Sequence, residues 1–290
     1  MVSRHADLEG PVHYLDFGGD GPPIVLVHGL SGSALNWMLV GPTLATRYRV
    51  LALDLRGFGR TPLGPGTRLR DNLRLLDLFL TEVVGGPAVL VGNSMGGLLS
   101  VMQSADRPDT VSSLVLVDPA LPWRGRRPFD LSVIAFFAAL LPPVAGEAVL
   151  ASTARRWGAE QVVRGVLAAV CADPSGLRED LVQALVEQET ERLARPRSHR
   201  ALAQASRSLL WALGRRGLMR TYRDVRAPVL VLHGERDRIV PAAFSVAAGR
   251  RFGWQVEVLL DVGHVPMMEV PDDFVRLMLG WLTAHEPAAA

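Results

Sequence analysis

The chain contains no lysine: all 31 of its basic residues are arginine, set against 29 acidic residues for a formal net charge of +2. A near balance with no dense basic stripe leaves no electrostatic footprint for nucleic acid. The one local cluster, WRGRRP at 123–128, reads more readily as a solvated turn than as an anion site. Cysteine is nearly absent too. Cys171 stands alone in VLAAVCAD, which rules out an internal disulfide and a cysteine metal cluster, and fits a reducing compartment. Long hydrophobic runs are missing: the longest, from Leu131 to Leu141, ends at Pro142 and Pro143 and is too short to span a bilayer. The opening MVSRHADLEG has no apolar signal core. These absences lead us to expect a cytoplasmic protein with no nucleic-acid partner and no stable membrane insertion.

What is present is a large reservoir of core. Of the 290 residues, 49% are hydrophobic and 21% charged, enough for one large domain carrying an insertion. Six runs share one grammar, apolar and β-branched residues followed by a glycine or acidic turn: IVLVHG at 24–29, RVLALDL at 49–55, AVLVGNS at 88–94, SSLVLVD at 112–118, PVLVLHG at 228–234 and QVEVLLD at 255–261. Continuous apolar runs of this length read as parallel strands covered on both faces. Helical patterns fall between them, near 33–46, 69–84, 96–107, 241–251 and 270–284. The alternation predicts an α/β fold with a mostly parallel, doubly wound sheet. It stops between Pro119 and about Tyr222, where only helix signals remain: 130–141, 146–157, 159–171, 177–194 and 199–213. We therefore expect a core of residues 1–119 and 223–290, with a helical cap or lid inserted at 120–222.

The chemistry concentrates at Gly92-Asn93-Ser94-Met95-Gly96. This fits the G-x-S-x-G elbow and sits where that motif must sit, between a predicted strand and a predicted helix. A serine before a helix is also an ordinary N-cap, but glycine two positions away on both sides favours a nucleophile. A serine hydroxyl needs a base, itself oriented by an acid. His264 in DVGHVPMMEVP follows the last strand and Asp237 in HGERDRIVP the one before it, in the order Ser, Asp, His. Asp118 is the rival acid, although Asp118-Pro119 also reads as a turn. The oxyanion of an acyl-transfer intermediate needs two backbone N–H donors. Met95 supplies one; Leu30, in the HGLSGS loop, supplies the other, with Ser31 as its neighbour and alternative.

These segments resemble the α/β-hydrolase fold superfamily, in its cap-bearing branch. VLVHGLSGS, LDLRGFGRT, VGNSMGGLLS, VLVDPA, LHGERDRIVP and GHVPMMEVP occur in the family's order over nearly the whole chain. The resemblance implies an acyl-serine enzyme needing no cofactor. It also implies buttressing rather than catalytic roles for His28 and His233, and a loop tied near the site by Asp54 and Arg56, with Gly57 and Gly59 allowing its turns. Serine at the elbow disfavours haloalkane dehalogenases and epoxide hydrolases, which carry aspartate there. GNSMGG is similar to hydrolases that cleave carbon–carbon bonds in ring-fission products. The HG-x-GPG loop of that group is replaced by HGLSGS, however, and Val265 stands where an aromatic residue would follow the histidine.

The expectation is a serine hydrolase, carboxylesterase-like, acting on a small to medium hydrophobic carboxylic ester or lactone. Carbon–carbon hydrolysis and a non-catalytic small-molecule receptor on the same fold are the alternatives. Trp37, Phe58, Trp123, Phe136, Phe137 and Trp211 read as core more often than as substrate contacts.

Overall fold

The computed structural model describes residues 1–122 and 130–285. The WRGRRP cluster and Trp123, within 123–129, lie outside the described residues, as does the tail at 286–290. Eight strands form one sheet: β1 (Val2–Asp7), β2 (Pro11–Gly18), β3 (Pro23–Val27), β4 (Arg49–Leu53), β5 (Ala88–Asn93), β6 (Val111–Val117), β7 (Val229–Gly234) and β8 (Gln255–Leu259). Their spatial order is β1-β2-β4-β3-β5-β6-β7-β8. The pairs from β4 to β8 are parallel, and β1 and β2 run antiparallel at one edge.

Period-two alternation divides the core. Val25, Val27, Leu90, Leu114, Leu116, Val229 and Val231 pack on one face of the sheet, while Ile24, Leu26, Val89, Val91, Val115, Val117, Leu230 and Leu232 pack on the other. The first face is covered by α2 (Leu69–Leu78), α3 (Met95–Asp106), α8 (Leu218–Asp224) and α9 (Ala242–Phe252). The second is covered by α1 (Gly41–Leu44), α10 (Pro266–Glu269) and α11 (Pro271–His285). Between β6 and β7 the described elements are all helical: α4 (Leu131–Leu140), α5 (Pro143–Val170), α6 (Glu179–Leu193), α7 (Ser198–Gly214) and α8, together with one 3-10 turn. Gly158, at φ 73° and ψ 175°, breaks α5 where the sequence separates two helices.

Three features depart from expectation. The β1–β2 hairpin was not anticipated, because β1 is exposed along nearly its whole length and its residues (VSRHAD) carry no apolar run. The pattern at 33–46 is no single helix; a 3-10 turn at Ala34–Trp37 is separated from α1, whose start at Gly41-Pro42 cannot continue a preceding helix. Trp37 and Phe58 are core, but Trp211 is 66% exposed and Phe136 44% exposed.

At the β5–α3 junction the packing leaves no room for a side chain. A Cβ built on Gly96 would come within 2.2 Å of the Val27 carbonyl oxygen, and one on Gly92 within 2.5 Å of the Gly96 carbonyl oxygen. Backbone cannot yield as a side-chain tip does. Gly96→Ala should therefore push α3 off the sheet and destabilise the fold by about 1–3 kcal/mol; thermal denaturation of the variant against the parent measures this, and an unchanged Tm would contradict the packing argument.

Candidate active site

Ser94 lies between the end of β5 and the first turn of α3 at φ 53° and ψ −114°, a left-of-normal conformation that no L-residue adopts without cause. Its backbone is held from both directions. The Ser94 N–H donates to the Val117 carbonyl at 2.9 Å, and its carbonyl accepts from the Leu98 N–H at 3.2 Å and the Ala120 N–H at 3.0 Å. The side chain is thereby presented at the carboxyl edge of the sheet, where Leu30, Ser31, Asn93 and His264 line the same pocket.

His264 and Asp237, both buried, meet at this edge: the Nδ1 to Oδ2 distance is 2.7 Å. The other Asp237 oxygen accepts from the Ile239 N–H at 2.7 Å and the Val240 N–H at 3.0 Å. Burial alone would raise this carboxyl. The positive field of His264 and hydrogen bonds from His233 and His264 outweigh it and hold Asp237 below the ordinary carboxylate range. Asp237 therefore remains an anion facing His264 Nδ1, and Nε2, on the opposite side of the ring, makes no hydrogen bond among the described residues.

Asp118 is close by and behaves differently. It is fully buried; one oxygen accepts from the Gly234 N–H at 2.8 Å, and Oδ2 has no hydrogen-bond partner among the described residues. Burial, reinforced by the Asp237 carboxylate and only partly countered by His233, raises its carboxyl well above the ordinary range. A proton on Asp118 converts the unpartnered oxygen into a donor. His233 sits behind both acids, with Nε2 donating to the Val240 carbonyl at 2.8 Å and Nδ1 2.7 Å from Ser245 Oγ. Burial lowers the pKa of its imidazole, but Asp118 and Asp237 together raise it on balance. Ligand atoms of Asp118, Asp237 and His264 lie within 4.8 Å of one another. The 2.7 Å Nδ1–Oδ2 contact is a hydrogen bond, too short to admit an ion between those two atoms.

The HGLSGS loop folds over the other side of Ser94. His28 donates from Nδ1 to the Gly29 carbonyl at 2.7 Å and accepts at Nε2 from the Leu55 N–H at 3.0 Å. Fully buried, it is pushed toward the neutral form, as a loop brace requires. Ser31 at φ 64° completes a turn closed by the Gly32 N–H on the Gly29 carbonyl at 3.1 Å. The N–H groups of Leu30 and Met95 make no hydrogen bond among the described residues. Asp54, fully buried, accepts from the Ala34 N–H and the Arg60 N–H, each at 2.7 Å, and from His13 Nδ1 at 2.6 Å. Arg56 reaches the Leu8 carbonyl at 2.7 Å. Together they fasten the DLRGFGRT turn to β2 and to the loop.

Two residues passed over in the sequence also position the site. Asn93 donates from Nδ2 to the Val117 carbonyl at 3.2 Å and the His264 carbonyl at 3.0 Å, tying the elbow to the histidine loop. Glu269 accepts from the Gly263 N–H at 3.0 Å and the Ala172 N–H at 2.7 Å, so one carboxylate clamps the histidine loop to the end of α5. The His264 N–H itself donates to the Val170 carbonyl at 2.6 Å. A polar residue closing a buried strand, and the glutamate five positions after His264, were the available signals. Cys171 is buried beside this clamp, and its thiol is pushed up to about 12 by burial.

Two cavities meet at Ser94, Leu30, Ser31 and His264. The smaller, of about 100 Å³, is bordered by polar side chains including Ser33, Asn36, Gln188 and Arg192. The larger, of about 800 Å³, is lined chiefly by apolar residues of α4, α5 and α7, among them Phe136, Phe137, Trp157 and Leu213. Arg192 enters both, but its guanidinium is bound to Glu189 at 2.6 and 2.7 Å.

A family model for the alpha/beta hydrolase family matches residues 24–277. Over 284 residues the chain is 29% identical to the dihydrolipoyllysine-residue acetyltransferase component of the acetoin cleaving system of Cupriavidus necator, covering 95% of this chain and 67% of that one. It is 28% identical over 293 residues to the 2-hydroxy-6-oxo-6-(2'-aminophenyl)hexa-2,4-dienoic acid hydrolase of Metapseudomonas resinovorans, covering 97% and 91% of the two chains. Among solved structures, a thermophilic esterase from Thermogutta terrifontis superposes with a TM-score of 0.73 at 23% identity, covering 99% of this chain and 100% of that one.

The two acids should separate experimentally. Asp237→Asn removes the anion facing His264 and is expected to lower hydrolytic turnover by roughly four orders of magnitude, whereas Asp118→Asn, which mimics the protonated acid, should stay within a few-fold of the parent. Asp118 keeps its proton in the folded state where the unfolded chain has released it. Its contribution to stability is therefore full below the ordinary carboxylate pKa near about 4 and is lost as pH rises through the folded value. Asn at 118 does not titrate, so the variant should gain Tm relative to the parent as pH rises from about 4. Parallel Tm–pH curves, or a reversed order of the two activity losses, would assign the acid to the wrong strand.

Proposed function

The chain belongs to the alpha/beta hydrolase family, and from that membership and its site geometry we propose a serine hydrolase that cleaves hydrophobic carboxylic esters or lactones through an acyl-serine. The observation that carries this reading is the placement of Ser94 where the two cavities meet, on the same edge as the His264–Asp237 pair. In this reading His264 Nε2 takes the Ser94 proton as Oγ attacks the acyl carbon, and Asp237 stabilises the resulting imidazolium. The developing oxyanion accepts from the Leu30 and Met95 N–H groups, which have no competing acceptor among the described residues; each such donor is typically worth about 2.7–4 kcal/mol in the transition state. His264 then delivers its proton to the leaving alcohol. Water, deprotonated by the same imidazole, releases the acid and restores the serine.

Helices α4 to α7 act here as a cap that builds the substrate site. The large apolar cavity suits the acyl chain and the smaller pocket, of mixed polar and apolar lining, the alcohol side. Its volume of about 800 Å³ falls in the range that encloses a drug-sized ligand and favours the longer end of the expected acyl lengths. The Metapseudomonas relative keeps carbon–carbon hydrolysis as a second reading. Its substrate is an acid, and Arg192, the one arginine lining the two cavities among the described residues, is already neutralised by Glu189. That favours an uncharged ester over a carboxylate-bearing dienoate.

Purified protein should react covalently at Ser94 with a fluorophosphonate and turn over p-nitrophenyl esters. Ser94→Ala should lower turnover by at least about a thousandfold without loss of Tm, because residual catalysis comes from binding and oxyanion stabilisation alone. A protein that folds and binds ligand but is never labelled would be a receptor, and preference for a ring-fission dienoate over every ester would favour the second reading. Phe136→Ala and Phe137→Ala should raise KM for long-chain esters several-fold and leave phosphonate labelling intact. A loss of roughly 3–5 kcal/mol in stability with unchanged chain-length preference would instead make the rings packing residues.

A further inference from the structure

From Leu131 to Gly146 the chain carries no charged residue, yet much of this stretch faces water. Leu131 is 81% exposed and Val144 83%, with Ile134, Phe136 and Leu141 also on the surface. Such a contiguous apolar face on a soluble domain marks an interaction surface. No described helix is long and apolar enough to cross a membrane by itself; α4 and α5 reach that length and apolarity only together, as a pair bent by 115°.

What lies beneath and beside this face identifies its occupant. Ile134, Phe136, Leu141, Trp157 and Val166 both line the large cavity and remain exposed, so they form its rim, and the cavity floor holds Ser94 and His264. The rim is continuous with the exposed apolar face. Its acids are engaged and two of its arginines are not: Asp130 accepts from the Ser132 N–H and Oγ, Glu147 lies 3.7 Å from Arg207 and Glu160 3.0 Å from Arg164, while Arg155 and Arg156 are exposed with no ion pair among the described residues. Arg156 packs over the half-exposed Trp157 ring at 5.6 Å, and Arg215 over the exposed Trp211 ring at 4.5 Å. Tryptophan bodies with guanidinium tips match a boundary that is apolar on one side and anionic on the other. Phosphate headgroups complement the two unpaired arginines.

We propose that the α4–α5 face docks on the surface of an anionic phospholipid bilayer. Leu131, Ile134, Leu141 and Val144 press among the acyl chains, Arg155 and Arg156 meet lipid phosphates, and the cavity rim opens onto the leaflet. The substrates are then acyl esters partitioned into that leaflet, which reach Ser94 without crossing water. The delivery step rests on the serine-hydrolase reading; the docking does not.

The test uses the full chain carrying Ser94→Ala, so that binding is measured without turnover, in cosedimentation with vesicles of equimolar phosphatidylcholine and phosphatidylglycerol and with vesicles of phosphatidylcholine alone. Stronger binding to the mixed vesicles, weakened by salt, is expected. Leu131→Asp with Val144→Asp should reduce the partition coefficient at least about tenfold, and Arg155→Glu with Arg156→Glu by roughly fivefold or more per arginine. Introduced into the parent serine form, the same pairs should keep the parent Tm and its rate on p-nitrophenyl acetate. No sedimentation with either vesicle overturns the proposal, as does binding that the Asp pair leaves unchanged. A dimer that the Asp pair converts to monomer, with no vesicle binding, assigns the face to a second copy. Vesicle binding by a protein that hydrolyses no ester would refute the hydrolase reading and leave the docking standing.

Discussion

The arrangement depends on how closely α3 approaches the sheet. The chain must leave a buried strand and enter a helix within one residue, with Gly96 against the Val27 carbonyl and Gly92 against Gly96 itself. That contact places Ser94 at a positive φ, aims the first N–H groups of α3 toward the carboxyl edge, and sets the height at which the HGLSGS loop can pass over the serine. Each other part of the site is built against this point. Asn93 reaches the histidine loop because its strand ends there, and the Val117 carbonyl serves both the Ser94 N–H and the Asn93 amide.

The helical segment between β6 and β7 is fastened to the same point. The end of α5 supplies a carbonyl to the His264 N–H, and Glu269 joins Gly263 to Ala172. The imidazole is thus oriented by Asp237 through its ring and by the inserted helices through its backbone. A change in how α5 seats on the sheet is felt at His264 before it is felt anywhere else in the core.

Much of this was legible in the residues because it is written in short-range grammar. Five of the six parallel strands announce themselves as doubly buried runs, the half-exposed edge strand β8 by its β-branched residues alone, and the elbow glycines as positions where a side chain has no room. Gly158 separates two helical patterns. What was not legible arises from contacts between distant segments. The β1–β2 hairpin lies at an exposed edge, where apolar periodicity fades. Asn93 and Glu269 are ordinary polar residues until the fold shows which backbone groups they join. Asp118 and Asp237 follow neighbouring strands with similar local sequence, and only burial and hydrogen bonding drive their carboxyls in opposite directions. Phe136 and Trp211 read as core by composition, since nothing local says that the cap turns them outward.

The chemistry of the surface has a further consequence. The one thiol is buried behind the Glu269 clamp and held near a pKa of about 12, and the sequence offers no lysine amine. The native chain is therefore nearly silent toward maleimides and leaves no side-chain amine for acylating dyes. A single cysteine placed on α4 would be the one thiol open to maleimides, so a spin label or fluorophore there reports the depth and mobility of that helix with no contribution from the core.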